Sequence, residues 1–100
     1  MKRTSTLHAL LMAALLGLAS VTHAAEETSD TANAYFHAFI LCKTGMEAVE
    51  GGRREQAIQN LKSAQATIKE IQRTRPDWQP AIVAARLQKI ENVLKSLGAR

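Results

Sequence analysis

Residues 45–64 read GMEAVEGGRREQAIQNLKSA, and the pair Gly51-Gly52 in their middle decides the fold. On both sides of the pair, small and apolar residues return at three- and four-residue intervals, the period of one helix face. Glycine closes a helix in the left-handed conformation without a Cβ clash. One helix therefore ends at Gly51-Gly52 and a second begins at Arg53. A connection this short leaves the two helices no arrangement but an antiparallel hairpin.

Upstream of the turn, nothing but Gly45 interrupts a helical reading from Thr31 to Glu50 (helix A, 31–50), and Ser29 or Asp30 offers a side-chain cap for its start. Two stripes run along this helix. One is mostly small: Ala34, Ala38, Leu41, Gly45, Ala48. Its neighbour is mostly large: Tyr35, Phe39, Cys42, Met46, Val49. A glycine inside a helix costs about 1 kcal/mol relative to alanine, so Gly45 marks a place where another helix crosses at close range. The small stripe is expected to face helix B and the large stripe something else.

Downstream, helix B (53–74) carries Ala57, Leu61, Ala64, Ile68 and Ile71 on one stripe, with Ile58 beside it. The segment Arg75-Pro76-Asp77-Trp78-Gln79-Pro80 stops it, because Pro76 cannot continue a helix and disfavours helical geometry at Arg75. Pro80 suits the first position of helix C (80–97), where its missing N–H costs nothing. Val83, Leu87, Ile90, Leu94 and Leu97 form that helix's inward stripe, widened by Ile82 and Val93. Glu91 and Lys95 form an i, i+4 pair, and Gly98 closes the end. No stretch alternates as a strand would. The expected fold class is all-α, an antiparallel helical hairpin plus a third helix (three-helix bundle or short solenoid) over residues 31–98.

The first 24 residues read as a cleavable signal peptide. Lys2 and Arg3 are a basic start, Leu7 to Leu18 an apolar run too short for a comfortable membrane span, and Thr22-His23-Ala24 a cleavage site. The expected product begins at Ala25, with residues 25–30 a flexible polar segment, and is exported, periplasmic or secreted, without a stable membrane span. Removing Lys2 and Arg3 takes the 13 basic residues to 11, against 9 acidic ones that all lie beyond the leader, so the net charge falls from +4 to +2. Acidic residues are interleaved with the basic ones, as on solvated helix faces, and no nucleic-acid partner is expected. The single cysteine excludes an internal disulfide, so a small core or a partner chain must hold the domain together.

The hairpin resembles the tetratricopeptide repeat (TPR). Gly45, Gly52, Ala57, Leu61 and Ala64 stand in that family's spacing, and Leu41 falls where it usually has a first-helix aromatic. Thr44, Ala48 and Arg54 depart from it, standing where the family prefers a leucine and two tyrosines, and the closing proline is displaced by two turns to Pro76. The chain also resembles small exported TPR-like proteins with an overlong second helix followed by a Pro-Asp-Trp-x-Pro linker, here Pro76, Trp78 and Pro80. The resemblance implies a hairpin that packs against a further helix and serves as an interaction module.

Few residues invite chemistry. Cys42 and Met46 are i, i+4 on helix A and are soft ligands suited to Cu(I), but two apolar-stripe residues have the same spacing. His37, five residues before Cys42, points away from it, so a cysteine nucleophile lacks its base. No catalytic residue, cofactor or metal is expected. Trp78 reads as an anchor packed under the B–C linker. Phe36 and Ile40 add a third face to a helix already apolar at Tyr35 and Phe39, more than three short helices can cover. The expected function is a non-enzymatic interaction module that binds a protein or peptide, or forms a homodimer, through Tyr35, Phe36, Phe39, Ile40, Cys42 and Met46. The alternative is a small metal- or redox-handling envelope protein using Cys42 and Met46.

Overall fold

The computed structural model describes residues 28–99. The leader over 1–24, its cleavage after Ala24 and the start of the polar segment 25–30 lie outside the described residues. The chain divides after Asp30, and Thr31–Arg100 forms the compact unit that contains the hairpin. Among the described residues there are three helices and no strand: α1 over residues 28–50, α2 over Arg54–Thr74 and α3 over Pro80–Ser96. No helix among them is long and apolar enough to cross a membrane.

Residues 28–30 are already helical, so Ser29 and Asp30 lie within α1 and neither is its N-cap. Residues 25–30 contain no glycine or proline, and acidic residues are favoured in a first turn. The other boundaries fall within a residue of expectation. Arg53 caps α2 and Leu97 caps α3, each one position from the range expected for its helix.

The turn after α1 is a Schellman closure. Gly52 takes φ 73°, which lets the Gly52 N–H reach the Val49 carbonyl at 3.1 Å and the Arg53 N–H reach the Ala48 carbonyl at 2.8 Å. The same pair of bonds recurs at Gly98, φ 76°, where Gly98 N–H meets the Lys95 carbonyl (3.0 Å) and Ala99 N–H that of Leu94 (2.9 Å). Between α2 and α3, Arg75 leaves the helical region at φ −136°. Gln79 sits in the left-handed region at φ 40° and puts Pro80 at the start of α3.

Side-chain bonds give the helix directions. Asn60 Nδ2 donates to Thr44 Oγ1 at 3.2 Å, a pair equidistant from Gly52, so α1 and α2 are antiparallel. Gln65 Nε2 to Glu91 Oε2 (3.4 Å) straddles the Trp78 linker, so α3 is antiparallel to α2. Glu91, expected to pair with Lys95, thus takes a bond from the neighbouring helix. α1 and α3 run the same way.

The core is one cluster. α1 supplies Ala38 and Cys42, α2 supplies Leu61, Ala64, Ile68 and Ile71, and α3 supplies Val83, Ile90 and Leu94. α1 and α2 approach closely at Gly45: a Cβ built on it would lie 2.9 Å from Leu61 Cγ and 3.5 Å from the Ala57 carbonyl oxygen. Ile82, expected to widen the inward stripe of α3, is instead 52% exposed. It begins a flank of α3 that turns outward beside α1.

Arg54, the first residue of α2, grips a different helix. Its guanidinium donates from Nε (3.1 Å) and Nη2 (2.6 Å) to the Leu97 carbonyl oxygen, so a cation closes the negative end of α3 and ties it to the start of α2. Arg54→Ala is expected to cost about 1 kcal/mol, at the low end for a bond to a charged group because the site is open to solvent. Chemical denaturation measures it. An unchanged midpoint would mean that the contact adds nothing.

Candidate functional site

The face that carries unpartnered apolar surface is built from the middle of α1 and the first turns of α3, which run side by side beyond the Trp78 linker. Trp78 is half-buried against the core, and its ring meets Tyr35 at 5.6 Å between centroids, tilted by 50°. That contact joins the linker to α1.

One turn further along, Arg86 of α3 lies with its guanidinium 4.8 Å from the centre of the Phe39 ring. Contacts of this kind contribute about 0.5–1 kcal/mol where partly exposed. The oxygen of Tyr35, and less so the Cys42 side chain, favours the charged guanidinium and holds the Arg86 pKa above its ordinary value, against the opposing effect of burial. Its Nε is enclosed and has no acceptor, a cost accepted where the stem and the guanidinium plane fill the gap between two helices.

Outside this lies the patch. Phe36 is 61% exposed, Ile40 42% and Phe39 37%, and Phe36 and Phe39 are near-parallel at 6.5 Å. Ile82, four residues before Arg86, continues the patch onto α3. Lys43 follows Phe39 and Ile40 by one turn of α1, and Lys89 follows Arg86 by one turn of α3.

The six residues expected to bind a partner separate into three groups. Phe36, Phe39 and Ile40 are exposed together. Tyr35 and Met46 are half-buried flanks of the core. Cys42 is 1% exposed and belongs to the core, so it forms no part of an accessible surface. Its position on the same stripe as Phe39 hides a rotation of about 60° around the helix (three residues at 3.6 per turn), which carries Cys42 under α3 and leaves Phe39 at the rim. Arg86 was not singled out from the sequence, and Ile82 was expected on the inward stripe instead. The usable signal was a lone arginine on the flank of α3 that also carries Ile82 and Val93.

Chemistry at Cys42 meets two obstacles. Burial closes the thiol to a substrate, and the Arg86 guanidinium interacts with the Cys42 side chain, which opposes a metal cation there. Among the described residues no group of three or more His, Cys, Asp and Glu side chains is placed to hold a metal ion.

Hollows also lie elsewhere among the described residues. One, of about 360 Å³, is an open groove between α2 and α3 with Gln65, Lys69, Glu91 and Lys95 around Leu94 and Ala99. Another, of about 220 Å³, lies beneath the linker against Gln72, Arg75, Trp78 and Val83, smaller than the ~300–1,000 Å³ typical of small-molecule sites. Neither gathers convergent acid, base and nucleophile. Comparison with family models, with curated proteins and with solved structures gave no match.

Proposed function

We propose that this protein is a non-enzymatic, exported, TPR-like interaction module that binds a protein or peptide, or a second copy of itself, through the outer face of α1. The observation that carries the reading is the contiguous exposure of Phe36, Phe39 and Ile40. Side chains of this size contribute about 1.5–3 kcal/mol each when fully buried, before the costs of association. A chain with so small a core gains more from covering them than a larger one would.

The family reading is supported by Gly45, Ala57 and Leu61 at the helix crossing and by the glycine closure at Gly52. Export rests on the leader motif. An intact mass matching a start at Ala25 is expected for the product recovered outside the cytoplasm, and retention of Met1 or Lys2 would sink that part.

The association test compares the natural protein with Phe36→Ser/Ile40→Ser. Both residues are exposed, so the variant is expected to keep its helical content and melting temperature while losing its partner. Sedimentation velocity reads self-association, and capture from the native envelope fraction reads a foreign partner. If the double variant sediments and captures like the natural protein, this face is not the binding surface.

A further inference from the structure

We infer that the patch on the middle of α1 and the first turns of α3 is a docking site for an acidic amphipathic helix of another protein, a reading that rests on the interaction function proposed above. The argument is the charge that surrounds the apolar side chains. On α1 the order is Phe36, Phe39, Ile40, then Lys43; on α3 it is Ile82, Arg86, then Lys89. Spacings of three, four and seven residues keep each series on one helix face. The two helices run in the same direction, as the Tyr35–Trp78 and Phe39–Arg86 contacts require, so the two basic series lie on the same side of the patch. The exposed apolar surface is thus bordered by the exposed Lys43 and Lys89, one from each helix, with the half-buried Arg86 guanidinium between the helices.

A helix laid in this corner buries leucine-sized anchors at i, i+3, i+4 and i+7 against Phe36, Ile40 and Ile82. Acidic residues on its flank then meet Lys43, Arg86 and Lys89. Cations beside an apolar patch add selectivity by sign: they attract an acidic partner and repel a basic one.

Two other occupants fit less well. A second copy paired about a two-fold axis through the patch sets Lys43 opposite the turn around Asn33, where Asp30 is the one acid among the described residues of that part of α1, so most of the basic border stays unanswered. An anionic lipid surface lying along α1 meets Glu47, one turn beyond Lys43 on the same face. A short helix covers only the turns from Phe36 to Lys43 and avoids it.

The test uses three probes with the protein from Ala25 to Arg100, monitored by calorimetry and by Trp78 fluorescence. They are a synthetic amphipathic helix with leucines at i, i+3, i+4 and i+7 flanked by glutamates, the same peptide with lysines for glutamates, and vesicles of mixed phosphatidylcholine and phosphatidylserine. The glutamate peptide is expected to bind about tenfold or more tightly than the lysine peptide at low salt, the gap narrowing as salt rises. Lys43→Glu/Lys89→Glu reverses that order without changing the melting temperature, because both lysines are exposed. Phe36→Ser/Ile40→Ser abolishes binding of both peptides.

Equal binding of the two peptides, lost in Phe36→Ser/Ile40→Ser, would overturn the acidic partner while leaving the interaction surface in place. Binding of vesicles and of neither peptide would overturn it in favour of a lipid surface, and concentration-dependent dimerisation without peptide binding in favour of a second copy. Absence of any binding and any association would overturn both the partner and the function it rests on.

Discussion

Gly45→Leu is expected to lower stability by at least about 1 to 3 kcal/mol, although leucine is a better helix former than glycine by most of 1 kcal/mol. The two effects oppose each other, and geometry decides which wins. A Cβ alone at this position comes within 2.9 Å of Leu61 Cγ and 3.1 Å of Leu61 Cδ2. Those atoms are not the free end of a mobile side chain, since Leu61 is fully buried and held in the cluster that joins all three helices. The remaining leucine atoms must push α1 away from α2. Even Gly45→Ala should fail to stabilise, because the helix gain is offset by the shift forced on Leu61. The same glycine on a solvent face would reward either change. The cycle with Leu61→Ala is diagnostic: Gly45→Leu should cost less when Leu61 has been shortened, a non-additivity expected only of residues in contact. Equal costs in the two backgrounds, or a raised melting temperature in the single variant, would show that the helices do not cross there.

Gly52 makes the contrast. A Cβ there meets no atom within 4 Å, so the demand for glycine comes wholly from φ 73°. At one glycine the constraint is space; at the other it is backbone conformation.

Ile68→Ala is the second large effect, expected to cost about 2 to 5 kcal/mol from lost transfer energy and the cavity left behind. Ile68 is 0% exposed and belongs to the cluster with Cys42 of α1 and Val83 of α3, so no single helix can slide in to fill the space. A domain of this size holds its fold with a margin of about 5–15 kcal/mol at best, and the loss is a large part of it. Urea denaturation followed by circular dichroism should show a lowered midpoint with a similar slope. A change below about 0.5 kcal/mol, the range of ordinary surface substitutions, would mean that the three helices do not share this core. Exposed Ile82→Ala, in the same protein, should fall within that surface range and serves as the control.

What the sequence determined by itself was whatever depends on the backbone near the residue in question. Gly51-Gly52, Pro76, Pro80 and Gly98 act within one turn of themselves, so the C-terminal ends of α1, α2 and α3 and the start of α3 were legible to within a residue, while the start of α1 was not. The small stripe of α1 and the inner stripe of α2 were legible because helical period alone groups them. Gly45 announced the crossing because a glycine inside a helix has a local cost that some contact must offset.

The tertiary structure decided everything that depends on where the third helix lies around the first two. Cys42 and Phe39 share a stripe and an apolar character, yet one is 1% and the other 37% exposed, because α3 packs over one edge of that stripe and not the other. Ile82 looked like an inward residue and lies outside for the same reason. Arg86 and Arg54 found their partners, the Phe39 ring on α1 and the Leu97 carbonyl 43 residues away, through packing that no local pattern encodes. Periodicity identifies which residues share a face, but the rotation of each helix about its own axis is set by the packing of all three together. The apolar patch and its basic border therefore appear only once the helices are assembled.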